Sequence, residues 1–109
     1  MRVPPGSWSS QRHWHTHEDE FVYLIEGEAI LVTGNGETIM KPGDFAGFPA
    51  GDDDGHHLQN RSDRDAVFLV VGSRRESDDE IHYSDIDMHL PNTPGQGRVK
   101  FTRKDGTLY

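Results

Sequence analysis

His13-Trp14-His15-Thr16-His17-Glu18-Asp19-Glu20-Phe21-Val22-Tyr23-Leu24-Ile25-Glu26-Gly27 is the stretch that decides how the chain is read. Three histidines fall within five residues, three acids follow, and a β-prone apolar run is closed by glycine. In a strand, residues two apart share a face. His13 and His15 can therefore present two imidazoles on one side. Glu20 lies five residues beyond His15, an odd interval that a straight strand would send to the opposite face. The chain is expected to turn or bulge through Thr16 to Asp19 and to restart a strand at Glu20, facing back. Two imidazoles and one carboxylate on a common wall make a first-row transition-metal site.

The spacing His13-x-His15, four residues, Glu20, six residues, Gly27 resembles the first cupin motif, H-x-H-x4-E-x6-G. Gly43, five residues, Pro49, Ala50, Gly51 matches the first half of the second motif, G-x5-P-x-G-x2-H-x3-N, and His56, three residues, Asn60 matches its end. Two departures bear on loop shape: four residues instead of two separate Gly51 from His56, and Gly6 stands one residue further before His13 than the full first motif has it. The resemblance spans residues 3 to 72. It implies an all-β fold, a double-stranded β-helix or jelly-roll-like barrel. The whole of 1–109 is read as a single domain, with the first motif at 13–27, the second at 43–60 and a covering tail at 73–109.

The resemblance also implies the ligand set His13, His15, Glu20 and His56. In cupins this set holds one divalent iron, manganese, nickel, zinc or copper ion per chain, with positions left open for water and substrate. Neutral imidazole and carboxylate suit all of these ions. If His56 faces inward, Leu58 and Asn60 follow it and His57 and Gln59 face out. His17 is expected at the mouth, with His13 as the residue it could replace. His57 is expected at the surface or behind the ligands, and a bulge beside Gly51 would exchange it with His56. Asn60 closes the second motif and is grouped with these supporting residues.

Composition narrows the partners. The net charge is −8, against a nucleic-acid backbone or an anionic membrane as the main partner. No apolar run is long enough to span a bilayer, and Met1-Arg2-Val3-Pro4-Pro5 lacks the apolar core of a signal peptide. With no cysteine there is neither a disulfide framework nor a thiolate site. The cytoplasm is the default location.

Strands are expected at Glu20–Ile25, Ala29–Thr33, Glu37–Met40, Phe45–Phe48, His56–Asn60 and Ala66–Val71, with Gly34-Asn35-Gly36 as a hairpin turn. Residues 1 to 12 read as extended or looped, which leaves a sheet edge bare or completed by another chain. Residues 73 to 80 read as a polar loop, 81 to 90 as a segment lying over the barrel, and Val99–Thr102 as a last strand. Phe21, Tyr23 and Ile25 would form an outward apolar stripe, which points to a homodimer. Trp14, between two ligands, faces away from the metal. Asp52-Asp53-Asp54 reads as a solvated loop, and Arg61 and Arg64 as surface residues of a turn.

Three functions fit. The first is a metal-dependent enzyme on a small organic molecule, with dioxygenase-like chemistry favoured slightly over isomerase-like or lyase chemistry of sugars or sugar phosphates. The second is a non-catalytic module that binds or senses a small, sugar-like ligand. The third is a structural barrel with an incidental site, which the intact four-residue set argues against.

Overall fold

The alternating run from Glu20 to Leu24 builds the strand on which the barrel is assembled. The computed structural model describes residues 1–98 and 100–109. Its strands, in chain order, are β1 (Arg2–Val3), β2 (His13–His15), β3 (Glu20–Glu26), β4 (Ala29–Thr33), β5 (Gly36–Met40), β6 (Phe45–Phe48), β7 (His57–Gln59), β8 (Ala66–Gly72), β9 (Ile81–Tyr83) and β10 (His89–Leu90). They form three antiparallel sheets, ordered β1-β8-β3-β6, β5-β4-β7 and β10-β9-β2. Among the described residues, no helix is long and apolar enough to cross a membrane.

Inward positions pack as period-two alternation requires. Val22 and Leu24 of β3 meet Phe68 and Ala66 of β8, Leu58 of β7, Ala29, Met40 and Val3 in one buried cluster. Each large apolar side chain removed from water contributes about 1.5–3 kcal/mol. The outward partners of the same strands, Phe21, Tyr23 and Ile25, remain partly exposed, as do Leu69 and Val71 of β8 and Phe45 of β6. Strand pairing aligns Phe45, Tyr23 and Leu69 in one row across the sheet.

Gly27, which closes the first motif, has a φ of +86°, and a Cβ there would stand 2.3 Å from the carbonyl oxygen of Asp65. Only glycine allows both that conformation and that approach.

The segment before β2 is more ordered than an extended loop. Backbone bonds from Gly6 to Asn60, from Asn60 to Ser7 and from Ser9 to Leu58 lay it along β7. β1 pairs with Ala66 and Val67 of β8. The chain thus covers part of the edge expected to be bare. Beyond residue 72, β9 pairs with β2 and β10 with β9, so the tail lies against the first motif. Val99, the start of the expected last strand, lies outside the described residues. Thr102 makes isolated bridges to His89 and Leu108 instead of joining a strand.

Candidate metal centre

β2 supplies His13 and His15 from one face, β3 begins with Glu20, and His56 stands just before β7. The reversal between them is fixed by carboxylates. Asp79 Oδ1 accepts the backbone N–H groups of His17 at 2.8 Å and Glu18 at 2.9 Å. Asp19 Oδ1 accepts that of Ala50 at 2.8 Å. These bonds satisfy a turn that has no ladder of its own. His13 and His56 exchange both backbone hydrogen bonds, which places the second motif beside the first.

Ligating atoms of His13, His15 and Glu20 all lie within 4.8 Å of one another. His56 Nε2 is 3.0 Å from Glu20 Oε1, and His15 Nε2 is 3.8 Å from Oε2. The ring of His56 is buried and stacks on Phe48 at 3.6 Å. The three imidazoles anticipated from the motifs therefore gather about the Glu20 carboxylate.

The groups behind the imidazoles fit a metal. His13 Nδ1 contacts the Gln11 carbonyl at 2.9 Å and Ser10 Oγ at 3.1 Å. His15 Nδ1 is 2.8 Å from Asp79 Oδ2. An acceptor at Nδ1 keeps the proton there and leaves Nε2 as a free lone pair, the usual support of a ligating histidine. Burial pushes the His13 imidazole down from its ordinary range, against the Gln11 hydrogen bond, and so favours the neutral ring. The hydrogen bond with His56 holds Glu20 below the usual carboxylate range, against burial. A neutral His13 and an ionised Glu20 are the forms that a divalent transition ion requires of an imidazole and a carboxylate.

Asp79 is the supporting residue that sequence reading missed. It is fully buried and its Oδ2 also accepts from Arg98, which in turn is 3.2 Å from Glu18. Burial would raise its carboxyl; the bonds from His15 and from the backbone of His17 and Glu18 outweigh that and hold it low. Its place in the polar run Glu76 to Glu80 carries no local pattern that marks it.

The remaining expected residues take other positions. His17 is exposed, with Nδ1 2.8 Å from Thr16 Oγ1. His57 faces away from the cluster but is not at the surface: only 3% exposed, it bonds the Ser10 carbonyl at 2.9 Å and packs edge-on to Trp8. Asn60 is buried, donates to the carbonyls of Val3 and Arg64 and accepts from Ser62, so it ties β1 to the turn after β7. Asp54 accepts from Gly34 and neighbours Arg12, while Arg61 pairs with Glu37. The longer loop before His56 ends at Gly55, where a Cβ would meet Ser84 of the tail at 2.0 Å.

A cavity of about 190 Å³ opens against His13, Glu20 and His56, with Val22, Leu58, Val70, Met1, Ser9 and Ser10 as its walls. A larger concavity, about 620 Å³, lies at Arg2, Lys41 and Arg64, among residues that contribute nothing to the cluster.

An all-β barrel with three imidazoles and a carboxylate converging at its inner wall defines a class of small metal-site β-barrel. The chain belongs to the cupin family: the Cupin domain matches residues 1–72. It is 48% identical to a sugar phosphate isomerase of the cupin superfamily from Silicibacter pomeroyi, with a TM-score of 0.91 over 99% of this chain and 67% of that one. A protein of Acidithiobacillus ferrooxidans, provisionally named a sugar phosphate isomerase, aligns over the same shares at 28% identity and a TM-score of 0.84. An oxalate-binding protein from Thermotoga maritima is 32% identical over 71 residues, 65% of this chain. The chain spans 56% of the length of that relative.

Proposed function

We propose that the protein is a metal-dependent enzyme of the isomerase type, acting on a small hydroxy-carbonyl compound of the sugar kind. The observation that carries this reading is the gathering of His13, His15 and His56 about Glu20, with His13, Glu20 and His56 opening onto a small cavity. The isomerase direction comes from the likeness to the Silicibacter protein, which extends over the tail as well as the barrel. A divalent ion bound by the four side chains would supply a Lewis acid that polarises a carbonyl oxygen.

The chain's own residues do the rest. Val22, Leu58 and Val70 exclude water from one side, and the hydroxyls of Ser9 and Ser10 offer polar contacts at the wall. A cavity of about 190 Å³ is smaller than the usual drug-sized pocket and selects a molecule of few carbons. Neither Lys nor Arg is among the residues that line it, so a phosphate group would project outside. Tyr83, with its ring 6.0 Å from that of His13 and its phenol kept protonated by burial, is a neighbouring hydrogen-bond donor.

A second reading is non-catalytic binding of a small dicarboxylate, supported by the likeness to the oxalate-binding protein. Both ligand types offer two adjacent oxygens. Metal-stripped protein reloaded with Mn²⁺, Fe²⁺, Ni²⁺ or Zn²⁺ would be incubated with small aldoses, ketoses and their phosphates in D₂O. Deuterium at the carbon beside the carbonyl, absent with His56→Ala, is the expected result at about pH 7.5. Activity and metal should both be lost near pH 5, where imidazoles protonate. Oxalate binding without any exchange would favour the second reading, and oxygen uptake by the iron form would favour dioxygenase chemistry.

The homodimer is proposed on the exposed row Phe45, Tyr23 and Leu69 and its neighbours Phe21 and Val71. Contiguous apolar patches of this kind mark association sites. Tyr23→Glu should convert a dimer to a monomer in sedimentation at micromolar concentration. A parent chain that sediments as a monomer would rule the pairing out.

A further inference from the structure

We propose that Glu80, His82 and His89 form a second site for a divalent transition-metal ion, on the face of β2 opposite His13 and His15. Strand pairing sets Trp14, His82 and His89 in one row across β2, β9 and β10. Their rings stack in that order, with centroids 4.5 Å and 4.3 Å apart. Glu80 precedes His82 by two residues and shares its face. Ligating atoms of Glu80, His82 and His89 all lie within 4.8 Å of one another.

Two observations separate this group from an ordinary stack with an ion pair. Nε2 of His89 is buried and makes no hydrogen bond among the described residues, although Glu80 Oε1 is only 3.3 Å away. A protonated His89 paired with Glu80 would aim its N–H at the carboxylate, and this geometry does not. Ligands about 2.0–2.2 Å from a tetrahedral ion stand roughly 3.3 Å apart, so the pair already has the spacing of one edge of a coordination shell. The carboxylate is also held in direction, because Glu80 Oε2 accepts the backbone N–H of Asn92 at 3.0 Å. A ring nitrogen of His82 is the third donor, within 4.8 Å of the other two. Burial pushes the His82 imidazole down, with His89 and Lys104 acting the same way against Glu80 and Asp79, which favours the neutral ring. Imidazole and carboxylate without thiolate suit zinc, cobalt, nickel or copper.

The test is a Co²⁺ titration of the full, chelator-stripped chain by calorimetry, with tryptophan fluorescence followed in parallel because Trp14 stacks on His82. The unaltered chain should take two equivalents. Glu80→Gln, which keeps an acceptor for Asn92, and His82→Gln should each take one, and the quenching of Trp14 should disappear with the lost equivalent. His56→Ala should lose the other equivalent and keep the quenching. A single equivalent in the unaltered chain, lost in His56→Ala, overturns the proposal whether or not the tail variants fold. A single equivalent kept in His56→Ala and lost in Glu80→Gln supports this site and counts instead against the centre at Glu20. Two equivalents retained by both tail variants, with unchanged melting temperatures, also overturn it.

Discussion

His56→Ala should empty the proposed centre, whereas the neighbouring His57→Ala should keep its metal and lose stability. The two side chains leave the strand in opposite directions. His56 Nε2 reaches Glu20, and His56 stacks on Phe48. His57 reaches the Ser10 carbonyl and Trp8 on the other side. Loss of a ligand should reduce affinity by more than the roughly 10–100-fold typical of changes behind the ligands. His57→Ala leaves a buried carbonyl without its donor and a void beside Trp8, at a cost of about 1–3 kcal/mol. Metal content by elemental analysis and melting by circular dichroism separate the two effects. Metal lost from the His57 variant and kept by the His56 variant would reverse the assigned faces.

Asp79→Ala should be the most damaging change outside the four proposed ligands. It strands the backbone N–H groups of His17 and Glu18 and the His15 Nδ1, and leaves the mostly buried Arg98 with Glu18 alone. Removing one partner of a buried charged pair costs about 3–5 kcal/mol. Asp79→Asn isolates the positioning role. Its amide oxygen can still accept from the turn, but it no longer presents a carboxylate to His15. Metal affinity should then fall about 10–100-fold while the fold persists. Acid titration gives a further readout. The Asp79 carboxyl is held below its ordinary value, so its contribution to stability is complete above about pH 4 and is lost as pH falls through the lower folded value. Unfolding curves of the Asn variant should lack that component. Unchanged metal affinity in Asp79→Asn would show that His15 does not depend on this partner.

The barrel was legible wherever a strand carries its own alternation and its own stop. Ala29–Thr33 and Phe45–Phe48 have the expected bounds because glycines or proline punctuate them. His13, His15 and Glu20 could be set on one face by spacing, given a turn through Thr16 to Asp19, whereas His56 entered through the resemblance to the second cupin motif. What holds that turn was not legible. Asp79 is one acid in a polar run, and only its burial against His15 distinguishes it. The burial of His57, expected at the surface or behind the ligands, was not legible, because alternation sets a side chain's direction, not what covers it. The cover is Trp8, delivered by a segment whose prolines and glycine gave no hint of pairing with β7. The Glu80, His82 and His89 group escaped for a related reason: its register depends on β10 folding back onto β9.

The link between His15 and Asp79 also orders events in time. The two residues are 64 positions apart, and β2 finds its strand partner slightly further on, from His15 against Ile81 to His13 against Tyr83. Closing a loop of that length is entropically slow compared with forming the hairpins between Glu20 and Met40. A ribosome adding about 5–20 residues per second releases the first histidines seconds before Asp79 exists. The barrel can close while His15 still lacks its carboxylate, so the proposed centre gains this support only after the barrel strands are made.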